Sequence, residues 1–132
     1  MTGVQTCALP ISGPNGRGSL LDDVETARRL AELRAENAAL RAVTYLGVSR
    51  AARTGSPGPE GSITKLYFAE LEQKVARTAM DLLGRDGLRM VSRWDTGGWS
   101  GQWLTAFSAS IGGGTSEIQR NIIGDRVLGL PR

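Results

Sequence analysis

The sequence predicts an all-α fold, an up-down bundle of two long and two short helices. Three observations lead there. Apolar residues recur at helical spacing over Leu20–Ala52 and again over Ile63–Leu82. Two prolines and three glycines in Thr54–Gly61 separate the two runs, and such a segment cannot continue a helix. No stretch of useful length alternates apolar and polar residues with period two, as a half-buried strand requires.

The first helix starts at or just after Ser19, because Ser19 and Asp22 have the spacing of a capping box, though a weaker one than with glutamate. Leu20, Val24, Ala27 and Ala31 make one set of helical spacings; Leu30, Leu33, Asn37 and Leu40 make a second, heptad-like set. Flanking charges at Glu25, Arg29, Glu32, Arg34, Glu36 and Arg41 suit a short coiled coil. Asn37, Gly47 and the many alanines favour packing inside a bundle instead.

Ser62 is the expected N-cap of the second helix. Ile63, Leu66, Tyr67, Leu71, Val75, Thr78, Ala79 and Leu82 then share one face, leaving Lys65, Glu72, Arg77 and Asp81 for water or partners. Gly84 is a natural stop. Between Arg85 and Gly98 lies a loop of mixed charge, with Trp94 in it and Trp99 just beyond. These rings either pack beneath the connection or offer a stacking platform to a ligand. Trp103, Leu104, Phe107 and Ile111 define a short third helix, and Ser116 to about Val127 a fourth, with Ile118, Ile122 and either Ile123 or Val127 facing inward.

Composition limits the chemistry. The chain has 132 residues, 40% of them hydrophobic, which suits one domain with a modest core. No apolar run approaches the roughly 20 residues of a membrane span. A net charge of +3, with acidic and basic residues interleaved from Arg28 to Arg53, argues against a nucleic-acid surface. The absence of histidine excludes a histidine base, a Ser-His-Asp triad and the common zinc sites. Thr2–Ile11, which holds the lone Cys7, looks like translated sequencing-library adapter DNA. Residues 1–19 are therefore expected to be a non-native or disordered leader, 20–132 an incomplete domain, and the natural N-terminus lost. The rest of the chain has no cysteine, which fits a reducing, cytoplasmic setting.

The most informative segment is Gly112–Gly114 followed by Thr115-Ser116-Glu117-Ile118-Gln119-Arg120. Glycines let backbone approach a partner closely, and Ser116 with Gln119 has the S-x-x-Q spacing of a capping box. Unpaired N–H groups and the helix dipole make such a start a candidate seat for an anion; a plain glycine hinge before a capped surface helix is the simpler reading of the pattern alone.

The run Gly113–Ile123, closed by Arg126-Val127-Leu128-Gly129-Leu130-Pro131-Arg132, resembles the C-terminal signature of the acyl-CoA dehydrogenase family. The similarity extends through the first helix, the Pro/Gly break, Ser62-Ile63-Thr64-Lys65-Leu66, Glu70–Gln73 and Leu82-Leu83-Gly84 with Gly87, roughly Leu20 to Arg132. It implies FAD as cofactor, an acyl-CoA substrate, an electron-accepting flavoprotein, and a homo- or hetero-oligomer, dimer or tetramer. It places Gly114, Thr115, Ser116 and Glu117 near the flavin or its phosphates, and the Asp81–Arg85 stretch near the adenosine part of a neighbour's FAD. Arg85 stands where relatives usually have a second glycine. In many relatives the glutamate that removes the α-proton immediately precedes this Gly-Thr; here that residue is Gly113, so the resemblance assigns no catalytic base to the chain. Other relatives carry the base on an earlier helix or act as non-catalytic partners. Glu117 in the first helical turn is better explained by capping than as a base. Taken alone the chain is expected to be inactive, and to self-associate through apolar faces that a larger assembly would cover.

Overall fold

The computed structural model describes residues 19–89 and 98–131, and within them every regular element is helical. The helices are α1 (Val24–Thr54), α2 (Glu60–Leu83), α3 (Trp99–Ala109) and α4 (Ser116–Ile122), with 3-10 turns at Leu20–Asp22 and Gly84–Leu88 and a π turn, Ile123–Val127, continuing α4. Residues 1–18 of the expected leader, including Cys7, and Trp94 lie outside the described residues, whereas Ser19 is described. None of these helices is long and apolar enough to cross a membrane.

The Ser19–Asp22 capping box forms, but it closes the first 3-10 turn. The next residue, Asp23, caps α1 by accepting the Thr26 N–H at 2.8 Å. At the far end Gly55 takes φ 73° and returns its N–H to the Ala51 carbonyl, a left-handed stop that glycine adopts without steric cost.

The second helix begins earlier than Ser62 predicts. Pro59 already has helical dihedrals and Glu60 is the first helical residue, so Ser62 falls inside the first turn rather than capping it. A proline ring pre-sets φ for a helix start, and the Glu60 carboxylate suits the positive end of the dipole. It also reaches Arg50 of α1 at 3.3 Å. Gly84 ends α2 as expected.

Of the two candidate stripes on α1, the heptad-like one packs. Leu33 and Leu40 are buried with Leu71 of α2, and Tyr67 and Val75 complete the cluster. Val24, from the other set, is 82% exposed. The bundle packing expected for α1 is seen in its contact with α2, and among the described elements α1 otherwise touches only its own leading turn. On α2 the predicted face is the one that turns inward, with Leu71, Thr78 and Ala79 buried and the others of the set half-buried.

The short helices correct the sequence reading. On α3 the buried residues are Ser100, Gly101 and Ala106, while Leu104, Phe107 and Ile111 are exposed. Small residues buried on both α3 and α2, where Ala69 and Ala76 are also enclosed, let the two backbones approach, so the small face wins over the apolar one. Trp103 and Phe107 meet edge to face at 5.5 Å on the outer side. On α4, Ile118 and Val127 are largely exposed and Ile122 and Ile123 half-buried; the buried residue is Gln119.

Two consequences can be measured. Leu71→Ala removes the α2 member of the leucine cluster and should cost about 2–4 kcal/mol in a denaturant titration, a large share of the stability of so small a core. The Thr26 hydroxyl and N–H hold the Asp23 carboxyl below the usual carboxylate range. A carboxyl depressed on folding stabilises the native state above its unfolded pKa, and that contribution is lost as pH falls through the folded value. Asp23→Asn caps without a charge, so its thermal midpoint should fall less between pH 7 and pH 3 than that of the parent.

Candidate functional site

The loop joining α3 to α4 is built from glycine for two different reasons. The Gly112 N–H closes the end of α3 on the Ser108 carbonyl at 2.8 Å, and then Gly113 and Gly114 take φ 70° and 101°. A Cβ on Gly114 would stand 2.8 Å from Gln119 Nε2, so both dihedral and space require glycine there. Around Gly113 there is room, the nearest atom being Lys65 Cε at 4.0 Å. Only its left-handed backbone disfavours a side chain, by roughly 1–2 kcal/mol.

The turn is pinned from two sides. Gln119 Nε2 donates to the Gly113 carbonyl at 3.0 Å, and Lys65 Nζ of α2 donates to the Gly114 carbonyl at 2.6 Å. The sequence leaves Lys65 for water or an unspecified partner and gives Gln119 a capping role. The spacing marked Gln119 as special without revealing its partner, and no local pattern signals a contact that spans 49 residues.

Capping also shifts by one residue. Thr115, with extended dihedrals, is the N-cap of α4 and its hydroxyl accepts the Ile118 N–H at 3.4 Å; Ser116 is the first helical residue, so the Ser116/Gln119 box does not form. Glu117 turns its carboxylate back over the helix start. Its own backbone N–H, then the Thr115 hydroxyl, and finally the charge of Arg120 hold that carboxyl below the usual carboxylate range. Arg120 in turn pairs with Glu70 of α2.

Thr115, Ser116 and Glu117 thus surround a helix start whose donors already hold an oxygen anion, that of Glu117. The Glu117 side chain is 78% exposed, free to rotate aside for a ligand oxygen of the same charge. The donor chemistry therefore fits the polar atoms and phosphates of a nucleotide-like cofactor.

Asp81 and Arg85 lie elsewhere. Asp81, on the last turns of α2, pairs with Arg29 of α1 at 2.8 Å, and Arg85 is exposed in the following 3-10 turn. That turn is pressed onto α2 at Gly87, where a Cβ would lie 3.1 Å from Leu83 Cβ. Sixteen residues of helix separate Lys65 from Asp81, about 24 Å. The predicted site residues therefore form two groups, one at each end of α2. Trp99 is half-buried and lines cavities between α1 and α2.

Residues 13–128 match the acyl-CoA dehydrogenase C-terminal domain. Two proteins named acyl-CoA dehydrogenase IpdE1 are similar: the one from Mycobacterium tuberculosis is 40% identical over 77 residues, 58% of this chain and 19% of that protein. The one from Mycolicibacterium smegmatis is 40% identical over 76 residues, again 58% of this chain and 19% of its own length. A chain in the crystal structure of the ChsE4-ChsE5 complex from Mycobacterium tuberculosis superposes with a TM-score of 0.73 at 29% identity, covering 92% of this chain and 31% of that one. The matched stretch thus spans about a fifth of the length of these curated relatives. Matched in sequence over most of its length and in fold over nearly all of it, the chain belongs to the acyl-CoA dehydrogenase family, of which it carries the C-terminal helical domain.

Proposed function

We propose that the chain is the C-terminal part of an FAD-dependent acyl-CoA dehydrogenase, contributing to flavin binding and to oligomerisation, and supplying no base of its own. The observation that carries this reading is the pinned Gly113–Thr115 turn ahead of a capped helix, in a member of this family. Held by Gly114, Thr115, Ser116 and Glu117, FAD would supply hydride acceptance in the α,β-dehydrogenation of an acyl-CoA thioester, with the α-proton taken by a carboxylate that this chain does not provide.

The residues of this chain bind and position. Gly114 brings backbone close, the Thr115 and Ser116 hydroxyls and the start of α4 offer donors, and Glu117 rotates to admit the cofactor oxygens. Lys65 and Gln119 are positioning residues that hold the turn in register. Asp81 and Arg85 serve the adenosine part of a neighbouring subunit's FAD, and the separation of the two groups along α2 favours an assembly in which each copy contributes to more than one cofactor. An acyl-CoA substrate, an electron-accepting flavoprotein and a cytoplasmic setting belong to the same reading.

Gly113 favours a second reading of the same assembly, as a non-catalytic partner subunit of a hetero-oligomer. Its left-handed φ of 70° makes this position a turn in the backbone rather than a perch for a glutamate. In support, the similar solved structure is a ChsE4-ChsE5 complex, of two differently named proteins.

The test is to produce the full-length coding frame and look for bound yellow flavin, then for dye reduction with a panel of acyl-CoAs. Bound flavin with dye reduction is the outcome expected of the enzyme; flavin without reduction of any dye would select the partner-subunit reading, and no flavin would sink the cofactor assignment. In that protein Gln119→Leu should weaken flavin retention about tenfold, since it leaves the Gly113 carbonyl without its donor. Gly113→Glu should lower the thermal midpoint without raising dye reduction, because the new carboxylate starts from a strained backbone.

A further inference from the structure

The chain has two lysines, and their surroundings differ. Lys74 pairs with Glu36 of α1. Lys65 is half-buried, and its Nζ bonds to the Gly114 carbonyl at 2.6 Å. Among the described residues no carboxylate pairs with it. The nearest glutamates of α2 on either side are committed elsewhere, Glu60 to Arg50 and Glu70 to Arg120. An ammonium has three N–H donors, and the carbonyl takes one. A charge partly withdrawn from water is stabilised by an opposite charge, which a neutral carbonyl does not supply.

Position narrows the missing anion. Lys65 meets the turn at its two glycines, with its Cε 4.0 Å from the place a Cβ would take at Gly113. The donors suited to phosphate oxygens, the Thr115 and Ser116 hydroxyls and the start of α4, come after those glycines. In the flavin reading proposed above, on which this inference rests, position 113 is where many relatives carry the proton-abstracting glutamate. That side of the turn therefore serves the reacting end of the cofactor rather than its phosphates.

Hydride transfer to a flavin adds two electrons and one proton, so the ring ends one unit more negative. We propose that Lys65, besides holding the Gly114 carbonyl, is the positive charge that stabilises the reduced flavin and so raises the reduction potential of the cofactor. The unpaired ammonium at the glycine turn carries this inference. Through an effective dielectric near 20, a unit charge about 10 Å away changes such an equilibrium by roughly tenfold. For a two-electron couple, tenfold is about 30 mV.

The test is an anaerobic dithionite titration, against a reference dye, of the full-length protein at saturating FAD. Lys65→Gln removes the charge and keeps an N–H for the carbonyl, Lys65→Met removes both, and Lys65→Arg keeps the charge. The two uncharged variants should lower the midpoint potential by about 30 mV, because reduced flavin loses about tenfold in affinity relative to oxidised flavin. Lys65→Arg should hold that ratio within about twofold of the parent's, about 10 mV. Gln119→Leu loosens the same turn without altering charge, so it should weaken flavin retention and leave the potential unchanged. A Lys65→Gln potential equal to the parent's, with flavin bound, would overturn the proposal and leave the flavin reading standing, since the charge would then serve the phosphates or the fold. An equal shift in Gln119→Leu would also overturn it, because turn geometry rather than charge would be responsible. Loss of flavin from both uncharged variants would make Lys65 an anchor alone, and a parent protein without flavin would sink the reading on which the proposal rests.

Discussion

Everything in this domain is packed through α2. Helices α1, α3 and α4 all lie against it, and none of these three lies against another among the described residues. The reason is the sequence of α2 itself. It places leucine and valine toward α1 and alanines where other backbones come close, so that one 24-residue helix offers different surfaces to different neighbours. A domain organised in this way has little redundancy: loss of packing on α2 cannot be compensated by contacts among the outer helices.

The same helix sets the geometry of the candidate site. Lys65 near its start holds the glycine turn by a carbonyl, Glu70 one turn later pairs with Arg120 of α4, and Asp81 near its end pairs with Arg29 of α1. The first contact is part-buried and closes on a backbone oxygen; the two ion pairs are mostly exposed and each worth at most about 1 kcal/mol. The ion pairs therefore set register, while the Lys65 and Gln119 bonds to consecutive carbonyls determine where Thr115 presents its hydroxyl. A turn made of two positive-φ glycines is the loosest kind of backbone, and here it is specified by side chains remote in sequence.

Much of this was legible in advance, and the failures share a cause. The long helices, their heptad-like stripe, the glycine stops and the apolar face of α2 follow from local periodicity, which the structure obeys. Leu104, Phe107 and Ile111 misled because hydrophobicity ranks side chains by size of the apolar surface. The contact between α3 and α2 is instead decided by how closely two backbones can approach, which favours Gly101 and Ala106. Ser116 and Gln119 misled in a subtler way. Their spacing is a capping pattern, but Thr115, one residue earlier, can cap equally well, and Gln119 is claimed by a carbonyl six residues back that no periodicity points to. Lys65 could not be read at all, since its role depends on a contact 49 residues away.

A helix of 31 residues supported along one side is a demanding thing to build. Isolated helices of this kind are held by propensity and by i,i+4 pairs, and α1 uses both, with its alanines and with Arg28 between Glu25 and Glu32. Those terms are each a few tenths of a kcal/mol, whereas each leucine of the α1–α2 seam contributes about 1.5–3 kcal/mol by burial. Only Leu33 and Leu40 of α1 are buried in that way, two anchors about 10 Å apart on a rod about 46 Å long. The ends of α1 therefore depend on weak exposed contacts, Arg29 with Asp81 and Arg50 with Glu60. The Arg29–Asp81 pair ties the start of α1 to the end of α2 by at most about 1 kcal/mol, so the terminal turns of α1 open more readily than its leucine-anchored middle.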